Sequence, residues 1–74
     1  MTKLERVLLQ ALTDDLTGRS ADSHAGYLKA AGMLTAQAER HDEPDRSRLL
    51  RRAQRLRACA AQVLRGAAGC SEAI

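Results

Sequence analysis

The stretch Thr2-Lys3-Leu4-Glu5-Arg6-Val7-Leu8-Leu9-Gln10-Ala11-Leu12-Thr13-Asp14-Asp15-Leu16-Thr17-Gly18 decides the fold class of this chain. Thr2-Lys3-Leu4-Glu5 has the form of a capping box: the threonine oxygen accepts from the backbone of the first turn and the glutamate reaches back to the cap. A helix is predicted to start there. Leu4, Val7, Leu8, Ala11, Leu12 and Leu16 recur at three-and-four spacing, which is one apolar face of that helix. Gly18 ends it, because glycine accepts the left-handed conformation that helix C-termini often need.

The same grammar continues along the chain. Ser20 is a candidate cap for a second helix, with His24, Tyr27, Leu28, Ala31, Leu34 and Ala38 on its predicted core face. The opposite side, from Ala25 and Gly26 through Lys29, Gly32 and Met33 to Ala36, is poor in long polar chains for a solvent face. Two internal glycines each weaken a helix by about 1 kcal/mol relative to alanine. Either something packs close against Gly26 and Gly32, or they are tolerated drift at exposed positions.

His41-Asp42-Glu43-Pro44 breaks the pattern, with acidic cap candidates ahead of a proline suited to a first helical turn. The third helix then has an apolar stripe of Leu49, Ala53, Leu56, Ala60, Val63 and Leu64, with Leu50 on one edge. Gly66 and Gly69 end it. Short connections can only join antiparallel neighbours, so the expected fold is all-α, an up-down-up three-helix bundle. Residues 1–66 are expected to form the domain, and 67–74 a flexible C-terminal tail.

Composition agrees with helices. The chain of 74 residues is 45% apolar but has one tyrosine and no phenylalanine or tryptophan, so leucine, alanine, valine and methionine must build the core. Strands would draw on β-branched and aromatic residues, which are scarce here. A core this small rarely supplies more than about 3–5 kcal/mol, which suggests a module of a longer protein. No apolar run approaches the roughly 20 residues needed to span a bilayer, and no basic segment leads into an apolar signal core. A soluble intracellular protein is expected.

Catalysis needs a nucleophile or an acid-base pair brought together in a dry pocket. The candidates are Asp14, Asp15, His24, His41, Cys59 and Cys70, and their spacing forms no recognisable set. The histidines and cysteines fit no compact zinc pattern, and no glycine-rich phosphate loop is present. The chain is therefore read as a binding module and not an enzyme, with no cofactor, no metal and reduced thiols. Asp15 falls near the apolar arc of the first helix and is expected to be partly covered. Its carboxylate could accept from backbone donors at the start of the second helix, a structural role preferred over a catalytic one.

Charge is divided along the chain. Residues 1–45 carry five Lys/Arg against eight Asp/Glu, and residues 46–74 carry seven Arg against one Glu. The run from Arg46 to Arg57 admits three meanings: a solvated face, a phosphate-binding face for nucleic acid, or attraction to an acidic protein segment or anionic membrane. Stacking aromatics and a known nucleic-acid motif are both lacking, which makes an arginine-rich nucleic-acid module the alternative reading and not the first one.

In register, the first two helices read Ala11-x3-Asp15-x2-Gly18-x8-Tyr27-x2-Ala30-x3-Leu34, which resembles the start of the microtubule interacting and trafficking (MIT) domain. In that family the third helix carries an aliphatic residue, an aromatic seven residues on, and then an arginine-alanine-glutamate cluster. Here Leu49, Leu56 and Cys59-Ala60-Ala61 stand at those places. Tetratricopeptide repeats share much of the hairpin pattern, but a single such hairpin lacks stacking partners, and the long third helix favours MIT.

The resemblance implies a cytoplasmic adaptor, recruited to endosomal membranes, that binds short helical C-terminal motifs of ESCRT-III-like proteins. It also implies two surfaces: a groove between the second and third helices for an amphipathic helix, and one between the first and third for an extended proline-containing segment. Leu50, Arg57, Ala61 and Leu64 share the edge of the third helix that borders the former and are the candidate partner-binding residues. Arg57 stands where the family commonly has leucine, and Ala61 where it has glutamate. This departure implies a partner carrying acid opposite Arg57, in place of one that relies on its own arginines.

Overall fold

The computed structural model describes residues 1–66 and contains α1 (Lys3–Leu16), α2 (Ser20–Ala38) and α3 (Asp45–Leu64). No strand occurs among the described residues. The fold is an all-α bundle of three helices. The expected tail, 67–74, lies outside the described residues.

α1 begins as its sequence requires. The Glu5 amide donates to Thr2 Oγ1 at 3.1 Å, and the Thr2 amide donates to Glu5 Oε1 at 3.4 Å, so both halves of the capping box form. Gly18 ends the helix at φ +81°, and Gly66 stands after α3 at φ +83°, both in the left-handed region. The α1–α2 turn closes through backbone hydrogen bonds: the Arg19 amide donates to Asp14 O at 2.7 Å and the Gly18 amide to Asp15 O at 3.2 Å.

Two caps differ from expectation. Ser20 is the first residue of α2, the cap position falls to Arg19, and no side chain caps it. Pro44 occupies the cap position of α3, whose helical residues begin at Asp45, and Ser47 Oγ donates instead to the Glu43 carboxylate one turn back.

α2 is the central helix and packs against both neighbours. Its buried set is Ser23, Tyr27, Ala30, Ala31, Leu34 and Ala38. The predicted single core face is thus corrected: Ser23 and Ala30 join it, whereas Leu28 is 43% exposed. Towards α1, Ser23 Oγ donates to Ala11 O at 2.7 Å, and a Cβ built on Gly26 would stand 2.9 Å from Ala11 Cβ. Towards α3, His24 Nδ1 donates to Ala60 O at 3.0 Å and Thr35 Oγ1 accepts from Arg57 Nη2 at 3.1 Å. Small residues on the first side and longer ones on the second let two helices approach one, which explains why α2 lacks a broad polar face.

The two internal glycines of α2 therefore separate. Gly26 is a close-approach site, while a Cβ on Gly32 meets nothing within 4 Å. Gly32→Ala is expected to stabilise the domain by about 0.5–1 kcal/mol through the backbone alone. Gly26→Ala gains the same helix propensity but forces two Cβ atoms together, and overpacking of this kind costs about 1–3 kcal/mol. Chemical denaturation of the two variants should order them Gly32→Ala, wild type, Gly26→Ala. A Gly26→Ala protein as stable as Gly32→Ala contradicts the close approach.

The core joins Leu8 and Ala11 of α1 to Ala53, Leu56, Cys59, Ala60 and Val63 of α3 around Tyr27 and Leu34, with Leu4, Val7 and Leu49 packed at its margin. Leu16 and Leu64, both predicted on core faces, are 67% and 60% exposed. Each lies at the margin of its helix's apolar sector, whereas Asp14 and Val63, in the same last turns, are buried.

Candidate functional site

Leu50, Arg57, Ala61 and Leu64 are all exposed and run along one edge of α3. They fall within one narrow sector of the helix, since spacings of seven, four and three residues each return to nearly the same direction. The opposite edge of α3 turns Arg52, Cys59 and Val63 the other way; Arg52 is half-buried, and the other two are buried. The hydrogen bond from Arg57 to Thr35 shows that the first edge borders α2.

On α2, His24, Leu28 and Thr35 share the facing side, at spacings of four and seven. The border between α2 and α3 thus has apolar groups, Leu28, Ala61 and Leu64, beside a guanidinium held by a hydroxyl. Thr35 Oγ1 also donates to Ala31 O at 3.0 Å, which orients its lone pairs towards Arg57. Leu50, at 37% exposure, stands two helical turns from Arg57 towards the start of α3.

The candidate chemical residues are committed elsewhere. His24 donates to the Ala60 carbonyl, which holds α2 to α3. His41 is exposed in the loop. The buried carboxylate at the end of α1 is Asp14, and Asp15 is only half-buried. Asp14 accepts from Gln10 Nε2 at 3.1 Å and lies 4.0 Å from the Arg19 guanidinium. No group of three or more His, Cys, Asp or Glu that could hold a metal occurs among the described residues.

Cys59, expected to be a reduced thiol, is disulfide-bonded and fully buried. The other cysteine in the sequence, Cys70, lies outside the described residues. Reductant is expected to lower the melting temperature, contrary to the expectation of a reduced thiol; identical melting curves with and without it remove the bond from the stability of the fold.

The arginines of α3 form a largely solvated surface. Arg46, Arg48, Arg51, Arg55 and Arg57 are exposed. Arg48 lies 3.8 Å from Asp45 one turn away, an exposed pair worth under about 1 kcal/mol. Among the described residues no helix is long and apolar enough to cross a membrane. Comparisons with protein-family models, curated proteins and solved structures find no match to this chain.

Proposed function

We propose that this domain is an MIT-like adaptor that binds a short amphipathic helix along the border of α2 and α3, the partner being the C-terminal motif of an ESCRT-III-like protein. The observation that carries the reading is the edge formed by Leu50, Arg57, Ala61 and Leu64, all four exposed, with Arg57 bonded to Thr35 of α2. Helix-in-groove recognition needs an apolar strip at three-, four- and seven-residue spacing with a few polar groups to fix register. Leu50, Ala61 and Leu64 supply the strip, and Arg57 supplies the polar group at its centre.

The chemistry of Arg57 selects the partner. A guanidinium that already donates to Thr35 retains other N–H groups for a carboxylate, and it repels a partner arginine. The preferred helix therefore carries Asp or Glu opposite Arg57. Titration of isotope-labelled domain with ESCRT-III tail peptides tests this. Leu50→Asp is expected to weaken helical-peptide binding by roughly tenfold or more, since a buried apolar contact is replaced by a charge. Arg57→Glu should shift preference towards motifs with basic residues. Both positions are exposed, so each change should alter stability by less than about 1 kcal/mol. Unchanged binding in both variants, with shifted resonances around Arg52, Cys59 and Val63, places the peptide on the other edge. Tighter binding to duplex or single-stranded nucleic acid at the same near-physiological salt favours the arginine-rich nucleic-acid reading instead.

A further inference from the structure

A second surface lies on the other side of α2. Where α1 and α2 approach closely, they leave a groove of about 480 Å³ floored by the half-buried Val7 and Gly26, with the buried Ala11 beneath. Gly26 has no side chain to fill the trough, and the 2.9 Å approach its Cβ would make to Ala11 shows how near the two backbones come. The antiparallel pairing sorts the charges around this floor. Lys3 and Arg6, from the start of α1, stand with Lys29 of α2 at one end. Asp14, from the end of α1, stands with Asp22, from the start of α2, at the other.

Lys3, Arg6, Lys29 and Asp22 are exposed, and none of them forms an ion pair among the described residues. Asp14 is partly neutralised by Arg19, which leaves Asp22 as the principal anion of its end. The groove is therefore an apolar trough with uncompensated positive charge at one end and negative charge at the other.

We propose that this groove binds a short peptide segment of mixed charge, with acidic side chains towards Lys3, Arg6 and Lys29, a small apolar residue over Ala11 and Gly26, and a basic side chain towards Asp22. Length supports a peptide. Arg6 and Asp14 are eight residues apart, about 12 Å of helix at 1.5 Å per residue. An extended chain covers that distance in roughly three to four residues. Charge excludes the polyanions, because nucleic acid or an anionic bilayer lying in the groove meets like charge at the Asp14 and Asp22 end. The site is distinct from the α2–α3 border and does not rest on the adaptor reading.

The test uses a blocked peptide of sequence Glu-Glu-Ala-Ala-Lys-Lys and its all-acidic counterpart, Glu-Glu-Ala-Ala-Glu-Glu, titrated into isotope-labelled domain. The mixed-charge peptide should shift the amide resonances of Val7, Ala11 and Gly26 and bind more tightly than the acidic one. Arg6→Glu and Lys29→Glu should each weaken it roughly fivefold, the effect of about one exposed charge contact. Asp22→Lys should invert the preference in favour of the acidic peptide, which a merely structural role for Asp22 does not predict. All three substitutions are at exposed positions, and the helical signal checks the fold. The proposal is overturned by equal affinity for the two peptides, by shifts confined to Leu50 and Leu64, or by duplex DNA or anionic vesicles shifting the same groove residues at lower concentration.

Discussion

Truncating Leu56 to alanine is expected to cost about 2–5 kcal/mol and leave much of the domain unfolded. Leu56 is fully buried at the middle of α3, in the cluster that contains Tyr27 and Leu34 of α2 and Leu8 of α1. Removing its side chain deletes apolar surface from the centre of the bundle and opens a void. Half of the other buried residues in this cluster are alanines, Ala11, Ala30, Ala31, Ala53 and Ala60, whose short side chains have no rotamer with which to reach inward. The cavity should therefore persist, which places the cost towards the upper part of that range.

A core this small supplies only about 3–5 kcal/mol in total, so the loss is comparable to the whole stability. Leu64→Ala is the control: the same residue on the same helix, but 60% exposed, with an expected cost below about 1 kcal/mol. Thermal and urea denaturation followed by helical circular dichroism compares them. Equal midpoints for Leu56→Ala and wild type show that the buried face of α3 has been misassigned.

The contrast between Leu56 and Leu64 also shows what the sequence could disclose. Both fit the same apolar period in α3, and the period does not say how wide the buried sector is. Leu56 lies inside the buried sector with Ala53, Ala60 and Val63; Leu64 lies on the exposed edge with Leu50, Arg57 and Ala61, although Val63 beside it is buried. α1 was legible because its signals are local: Thr2 and Glu5 form the cap, and Gly18 takes the left-handed turn. α2 was less legible because it is covered from two directions. Its contacts with α1 use Ser23, Gly26 and Ala30, residues too small or polar to mark a hydrophobic face. The reading that placed Leu28 in the core and Gly26 on the solvent side assumed one buried stripe where there are two.

The candidate edge on α3 was legible by direction alone: Leu50, Arg57, Ala61 and Leu64 share a sector and are exposed. The hydrogen bond to Thr35, which fixes the neighbouring helix, was not, since it joins residues 22 positions apart that no local pattern relates. The charged groove between α1 and α2 was hidden for a related reason. Lys3, Arg6 and Lys29 belong to different helices, and only antiparallel packing gathers them opposite Asp14 and Asp22.

Replacing Tyr27 should give opposite results for two substitutions. Its ring is fully buried in the core, yet its hydroxyl has no hydrogen-bond partner. Tyr27→Ala removes the largest buried side chain and is expected to cost about 3–5 kcal/mol, as for other buried aromatics. Tyr27→Phe keeps the ring and removes only an unsatisfied polar atom, whose burial costs about 1–3 kcal/mol; it should be neutral or stabilising. The same atom gives the fold an alkaline limit. Burial first, and then the negative charge of Asp15, raise the phenol above its ordinary value of 10.0. The folded state thus favours the neutral hydroxyl more than the unfolded chain does. That contribution to stability is complete below the unfolded value and declines as the pH rises from there through the raised folded value. Tyr27 is the only tyrosine and the chain has no tryptophan, so tyrosinate absorbance reports this one group. The difference between wild type and Tyr27→Phe isolates the phenol from every other group of the chain. Urea unfolding from pH 8 to 11 should show wild type losing stability faster than Tyr27→Phe above about pH 10. Parallel losses in the two proteins, or a Tyr27→Phe domain less stable than wild type by more than about 1 kcal/mol, mean that the hydroxyl is hydrogen-bonded in solution and that the packing around it differs from the bundle described here.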